Sequence, residues 1–178
     1  MESSYNGAFL LRVLMKVLAL DPALRNTGFV VAEYNGEKFD YIKVGVIQTR
    51  TKTHTPINLI RDARTIYTEL TPLLAEVDCV VSECSTFSQN ADNATTNGIV
   101  VGVLAYVSSQ KPLYVVSQAQ AKAVVKQGAS KQDVSEWANK ILPYELLDGI
   151  SNSRFNHIAD ALAVLHSIEQ QLKERLSK

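Results

Sequence analysis

The chain has 178 residues, of which 46% are hydrophobic, and its 18 Lys and Arg balance 18 Asp and Glu, so the formal net charge is zero. This length and apolar content predict one globular domain, and the balanced charge gives no overall sign of a nucleic-acid partner. No stretch approaches the roughly 20 apolar residues that a membrane-spanning helix needs, which argues against a membrane protein. Cys79 and Cys84 fit neither a zinc site nor a secreted disulfide framework, so we expect reduced cysteines in a cytoplasmic protein.

The first fourteen residues precede any predicted element. Met1–Leu14 include a short apolar piece, but acidic Glu2 stands where a signal peptide carries basic residues. Met15 and Lys16 would themselves make a reasonable start to the domain. We therefore expect a dispensable N-terminal extension over 1–14 and one domain over 15–178.

The first informative stretch is VLALDPALRNTGFVV, residues 17–31. Its opening apolar run predicts a buried strand that ends at Asp21. A turn is predicted through Pro22 and 26–28, where Gly28 can supply a positive φ, and 29–31 would return antiparallel. Asp21 is either a turn former or a ligand for a hard cation such as Mg²⁺ or Mn²⁺, and one acid does not decide between them.

A second apolar run ending on an acid follows later in the chain. Phe39–Gln48 predicts a third strand, and apolar residues over 57–74 recur with the helical period. Cys79–Glu83 then predicts a buried strand, and the preceding helix is long enough for a parallel crossover. If this strand lies beside the first one, Glu83 sits next to Asp21.

The second half of the chain is predicted to be mainly helical. Ser117 and Ser130 suit helix N-caps, and Trp137 is predicted to lie in the core. The predicted elements are a helix over 90–109, a strand over 113–116, helices over 117–125 and 131–142, and a last helix from Phe155 to about Leu176. Lys122 and Lys131 are either solvated surface lysines or contacts for phosphate groups.

Asp160 lies in the last predicted helix among alanines and leucines, where a carboxylate is costly unless it is paired or bound to a cation. His157 precedes it by three residues and shares its helix face, either as a structural histidine or as a ligand. Together with Asp21 and Glu83, these side chains form a set of hard-metal ligands from three distant parts of the chain. Converging carboxylates would repel one another unless divalent cations bridged them. Two cations about 4 Å apart are what in-line attack on a phosphodiester uses, so the set predicts a metal-dependent nuclease.

Three motifs resemble the RuvC family of Holliday junction resolvases, which belongs to the ribonuclease H-like superfamily. DPALRNTG (21–28) resembles the first motif of the family, SECSTFSQNADNATTNG (82–98) the second, and HIADALAVLHS (157–167) the final helix. The similarity runs from about Met15 to His166. It implies an α/β fold with a mixed five-stranded sheet, three antiparallel strands followed by two parallel ones, flanked by helices.

The resemblance also implies roles for single residues. Asp21, Glu83 and Asp160 match catalytic carboxylates, and His157 takes a place often held by a fourth acid. These four side chains would bind two Mg²⁺ ions per active site, with Mn²⁺ also supporting activity. The remaining implied residues are Lys122, for catalysis and DNA binding, and Lys131, Phe87 and Asn90, for DNA binding. Phe87 stands one position later than the aromatic residue that helps to open the junction in the family.

The function implied by the resemblance is the cutting of Holliday junctions by paired symmetric nicks, in a phage or bacterial protein. Two symmetric nicks require a homodimer, and the predicted helix over 90–109 is its expected interface. A branch-migration motor as partner is left open. Two alternatives also stay open, namely a nuclease of the same fold acting on other branched DNA or RNA–DNA hybrids, and a non-catalytic junction-binding module.

Overall fold

A computed structural model describes residues 14–51, 53, 55–84 and 91–177, without the side chains of 91–93. Phe87 and Asn90 therefore lie outside the described residues, as do residues 1–13. Among the described helices, none is both long and apolar enough to cross a membrane.

A five-stranded mixed sheet forms the centre of the fold. Its strands are β1 Met15–Asp21, β2 Asn26–Tyr34, β3 Phe39–Gln48, β4 Cys79–Glu83 and β5 Leu113–Val116. The order across the sheet is β3-β2-β1-β4-β5. β2 pairs antiparallel with both β1 and β3, whereas β4 pairs in parallel with both β1 and β5. The predicted three-plus-two sheet is thus confirmed.

Helices cover both faces of the sheet. They are α1 Pro56–Ala75, α2 Ala91–Gln110, α3 Gln118–Ala123, α4 Lys131–Ile141, α5 Asn152–His166 and α6 Glu169–Leu176, with a short 3-10 helix at Tyr144–Leu147. Leu18 and Leu20 of β1 pack towards α1 and α2, while Val17 and Ala19 pack towards α4, α5 and α6. Both sides of β1 are buried, which explains its continuous apolar run.

The predicted helix starts in the second half are confirmed. Ser117 accepts a hydrogen bond from the backbone N–H of Gln120, and Ser130 accepts one from that of Asp133. Both helices complete a reciprocal capping box, which satisfies backbone donors at the helix start. Trp137 packs against the core, with its ring 5.3 Å from that of His166.

The first hairpin differs from the prediction. β2 already begins at Asn26, so the connection is the four residues 22–25, and 26–28 belong to the strand. Gly28 pairs with Asp21, whereas the positive φ angles among the described residues are at Gly36, Gly128 and Gly149. The prediction that Gly28 serves the turn was wrong, because strand pairing continues to the end of β1.

The last helix also differs from the prediction. It begins at Asn152 and breaks after His166 into α5 and α6. At the break, the Ser167 hydroxyl donates to the Val164 carbonyl at 2.7 Å, and the Ile168 N–H donates to the Leu165 carbonyl at 3.4 Å. These bonds three residues back tighten the turn and end the α-helical pattern.

Candidate active site at the carboxyl edge of the sheet

Two acids end neighbouring parallel strands at one edge of the sheet. Leu20 of β1 pairs with Ser82 of β4, so Asp21 and Glu83 follow at matching positions. Adjacent strands are about 4.8 Å apart, which brings the two backbones into direct proximity. The predicted placement of Glu83 next to Asp21 is thus confirmed.

Helix α5 brings the third acid and the histidine to this edge. It packs across β1, β2 and β4, and its centre is almost wholly buried. His157, in its first half, places Nδ1 3.2 Å from Oδ2 of Asp21. Asp160 follows one turn later and is half-buried. Residues that are 136 positions apart in the chain therefore meet at one site.

Gly28 explains how α5 approaches the sheet so closely. A Cβ atom at this position would lie 2.1 Å from the carbonyl oxygen of His157 and 2.9 Å from its Cβ. Glycine is thus required for the contact between β2 and α5 and not for a turn. Sequence reasoning missed this role, although a glycine inside a strand often marks close approach of another backbone.

Glu83 is electrostatically linked to the other acids. Burial, followed by the charges of Asp21 and Asp160, raises the pKa of Glu83 to about 7, while Lys122 opposes the shift. Because burial and like charges both disfavour the carboxylate, a nearby positive charge is strongly favoured.

Asp160 shows the same pattern. Burial, followed by the charge of Asp21, raises the pKa of Asp160 to about 6, while Lys131, His157 and Lys122 lower it. Lys122 lies in α3, and Lys131 is the first residue of α4. Both lysines are therefore close enough to act on the carboxylates, so the structure brings together every predicted site residue that it describes.

The donors suit a hard divalent cation. Carboxylate oxygens and one imidazole are ligands that Mg²⁺ and Mn²⁺ accept, and a cation would offset the repulsion between the acids. Within the described ranges, however, no three His, Cys, Asp or Glu side chains are close enough to hold one ion as they stand. The chemistry of the residues fits a metal centre, and its formation requires the carboxylates to draw together.

A partly buried ion pair supports the connection that follows Asp21. The Arg25 guanidinium donates to Oδ2 of Asp62 at 2.7 Å and to the Thr51 hydroxyl at 2.8 Å. The Asp62 side chain is only 2% exposed. Sequence reasoning missed this pair, although Asp62 stands four residues before buried Ile66 and hence on the inner face of α1.

Known proteins share both sequence and fold with this chain. Residues 17–167 match the family described as "Crossover junction endodeoxyribonuclease RuvC". The chain is 33% identical to the protein of that name from Alkaliphilus metalliredigens, over 84% of this chain and 90% of the relative. It is also 33% identical to the one from Caldanaerobacter subterraneus, over 91% of this chain and 98% of the relative.

Solved structures share the same architecture. The structure of Thermus thermophilus RuvC in complex with Holliday junction substrate superposes with a TM-score of 0.71 at 21% identity, covering 91% of this chain and 97% of the other. The yeast mitochondrial Holliday junction resolvase superposes with a TM-score of 0.62 at 13% identity, covering 90% of this chain and 80% of the other. At these identities the superpositions show the fold, and the sequence matches show that this chain belongs to the RuvC family of crossover junction endodeoxyribonucleases.

Proposed function

We propose that this chain cuts four-way DNA junctions by paired symmetric nicks, through hydrolysis of one phosphodiester in each of two strands. The observation that carries the proposal is the meeting of Asp21, Glu83 and Asp160 at the carboxyl edge of the sheet, in a chain of this family. Relatives with the family name, and one solved in complex with Holliday junction substrate, support the substrate.

The proposed cofactor is a pair of divalent cations, with Mg²⁺ as the physiological ion and Mn²⁺ as a substitute. Asp21, Glu83, Asp160 and His157 would hold them. Bound ions would activate water and stabilise the leaving oxygen. A metal-ligating histidine commonly donates its other ring N–H to a carboxylate, so His157 Nδ1 would donate to Asp21 and leave Nε2 for the ion.

Basic residues beside the acids would hold the cut strand. Lys122 lowers the pKa values of Glu83 and Asp160, and Lys131 lowers that of Asp160, which supports their proposed contact with the cut phosphate. Phe87 and Asn90 stay proposed DNA contacts, with Phe87 stacking on an unpaired base. In the sequence both residues follow Glu83, which ends β4.

A homodimer is the proposed active form, because two symmetric nicks need two sites related by a twofold axis. The face of α2 around Val101 would form its interface. Val101 is 44% exposed, and a Cβ added at Gly98 or Gly102 would meet no atom of the described residues within 4 Å. The helix thus offers an apolar surface that a second copy can approach closely.

The test is cleavage of a synthetic four-way junction, with linear duplex, forked DNA and RNA–DNA hybrid as comparison substrates, in Mg²⁺ and in Mn²⁺. Wild type is compared with Asp21→Asn and with Asp40→Asn, a matched change at an exposed acid near the opposite end of the strands. We expect paired nicks in the junction, abolished by Asp21→Asn alone. Preferential cleavage of the fork or the hybrid would make that nucleic acid the substrate in place of the four-way junction. Metal-independent binding without cleavage would indicate a non-catalytic module.

The family match begins at residue 17, which supports the proposal that residues 1–14 are dispensable. A chain starting at Met15 is expected to cut the junction at the wild-type rate. A loss of cleavage in this folded, shortened chain would assign the extension a role in the reaction.

A further inference from the structure

An open groove of about 620 Å³ lies between the end of β3 and the first half of α1. Arginines line much of it, namely Arg50 after β3 and Arg61 and Arg64 on α1. Thr65 and Thr68 add hydroxyl groups along the same helix. The groove therefore presents hydrogen-bond donors from two elements.

The three arginines are exposed, and none of them forms an ion pair with another part of the chain that the structure describes. Asp62, at the base of the groove, is already paired with Arg25. Glu69 is the other acid in the lining, so the groove carries net positive charge in a chain whose total charge is zero. Guanidinium groups suit phosphate oxygens because they can donate two parallel hydrogen bonds.

The groove opens at the same edge of the sheet as the candidate active site. β3 runs in the direction of β1, and the pairing Asp21–Gly28–Val46 places the end of β3 two strands from Asp21. Two interstrand spacings amount to roughly 10 Å. Lys122 and Lys131 act on the acids from α3 and α4, which pack against α5. Basic side chains thus lie near this edge on α3 and α4 as well as after β3.

The link between Arg25 and Asp62 joins this groove to the candidate site. Arg25 ends the connection that follows Asp21, and its partner Asp62 lies between Arg61 and Arg64 on α1. The ion pair fixes the spacing between the groove and the strand end that carries Asp21.

We propose that this groove binds the phosphate backbone of a duplex DNA arm beyond the strand that is cut, with Arg50, Arg61 and Arg64 as the contacts. This proposal rests on the proposed function, since the groove would extend the DNA-binding surface of the candidate active site. The arginines would contribute affinity for the DNA backbone and would not read the base sequence.

The test measures binding of a fluorescent four-way junction and of a linear duplex by anisotropy at several salt concentrations, without divalent cations. Arg61→Gln/Arg64→Gln is compared with wild type and with Lys140→Gln/Lys173→Gln, which removes the same charge from exposed lysines on α4 and α6. We expect the arginine variant to bind both DNAs about tenfold more weakly and to lower the salt slope of log K by about 2, since each phosphate contact contributes about 0.9. The lysine variant is expected to match wild type.

Wild-type cleavage of the junction is measured in parallel, so that the two proposals can fail separately. If the arginine variant binds DNA as well as the lysine variant does, the proposal that the groove binds DNA is overturned, even when junction cleavage is intact. A lowered salt slope in a chain that does not cut junctions would retain the groove as a DNA-backbone site and overturn the proposed function. Thermal unfolding of both variants at the wild-type temperature confirms that each one is folded.

Discussion

Replacing Gly28 by alanine should damage the candidate site far more than a single methyl group suggests. The new Cβ would lie 2.1 Å from the His157 carbonyl oxygen, whereas ordinary contacts begin at 3.4 Å, so α5 and β2 must separate by about 1.3 Å. This separation would shift His157, whose Nδ1 lies 3.2 Å from Oδ2 of Asp21. A misplacement of about 1 Å in a catalytic site can reduce the rate on the order of 100-fold, and overpacking costs about 1–3 kcal/mol of stability.

The assay is single-turnover cleavage of a four-way junction at saturating protein and Mg²⁺, together with urea unfolding. Gly45→Ala is the matched control, because its Cβ would press on the Phe29 ring at 2.7 Å, within the core between the sheet and α1. Both variants are expected to lose stability, but only Gly28→Ala should lose about two orders of magnitude in rate. If both variants cut at similar rates while folded, the contact between β2 and α5 does not position the site, and the reasoning is refuted.

Four further predictions concern other parts of the structure. Burial, together with the neighbouring carboxylates, raises the pKa of Glu83 to about 7. The protonated side chain therefore stabilises the fold at low pH, and this stabilisation is lost as the pH rises through about 7. In urea unfolding without divalent cations, the stability of Glu83→Gln should fall less between about pH 5 and pH 8 than that of wild type. A Glu83→Gln variant whose stability depends on pH as that of wild type does would refute this explanation. His157→Asp should retain Mg²⁺-dependent cleavage, because a carboxylate can replace the imidazole as ligand; complete loss in a folded variant would show that the histidine does more than bind an ion. Val101→Asp should yield monomers in sedimentation and abolish paired nicks, whereas a wild-type sedimentation profile would exclude α2 as the interface. Asp62→Ala should cost about 1–3 kcal/mol in urea unfolding, since it removes the carboxylate that accepts hydrogen bonds from both Arg25 and Thr51, and a loss below about 0.5 kcal/mol would show that the pair contributes little.

Local patterns were sufficient to predict the strands and the candidate acids. The apolar runs that end on Asp21 and Glu83 indicated buried strands, because a strand covered on both faces needs continuous apolar residues. Asp160 was conspicuous because a charged side chain in an apolar helix needs a partner. The helix between the two strands indicated a parallel crossover, so the adjacency of the first two acids could also be predicted.

Tertiary contacts alone decided the remaining features. The role of Gly28 depends on its close approach to the His157 carbonyl, which is remote in sequence. Sequence rules for turns cannot predict such a contact. The pairing of Arg25 with Asp62, and the groove above it, arise where the first connection meets α1. Sequence periodicity determines which side chains are buried, but only the packing of elements determines which of them meet.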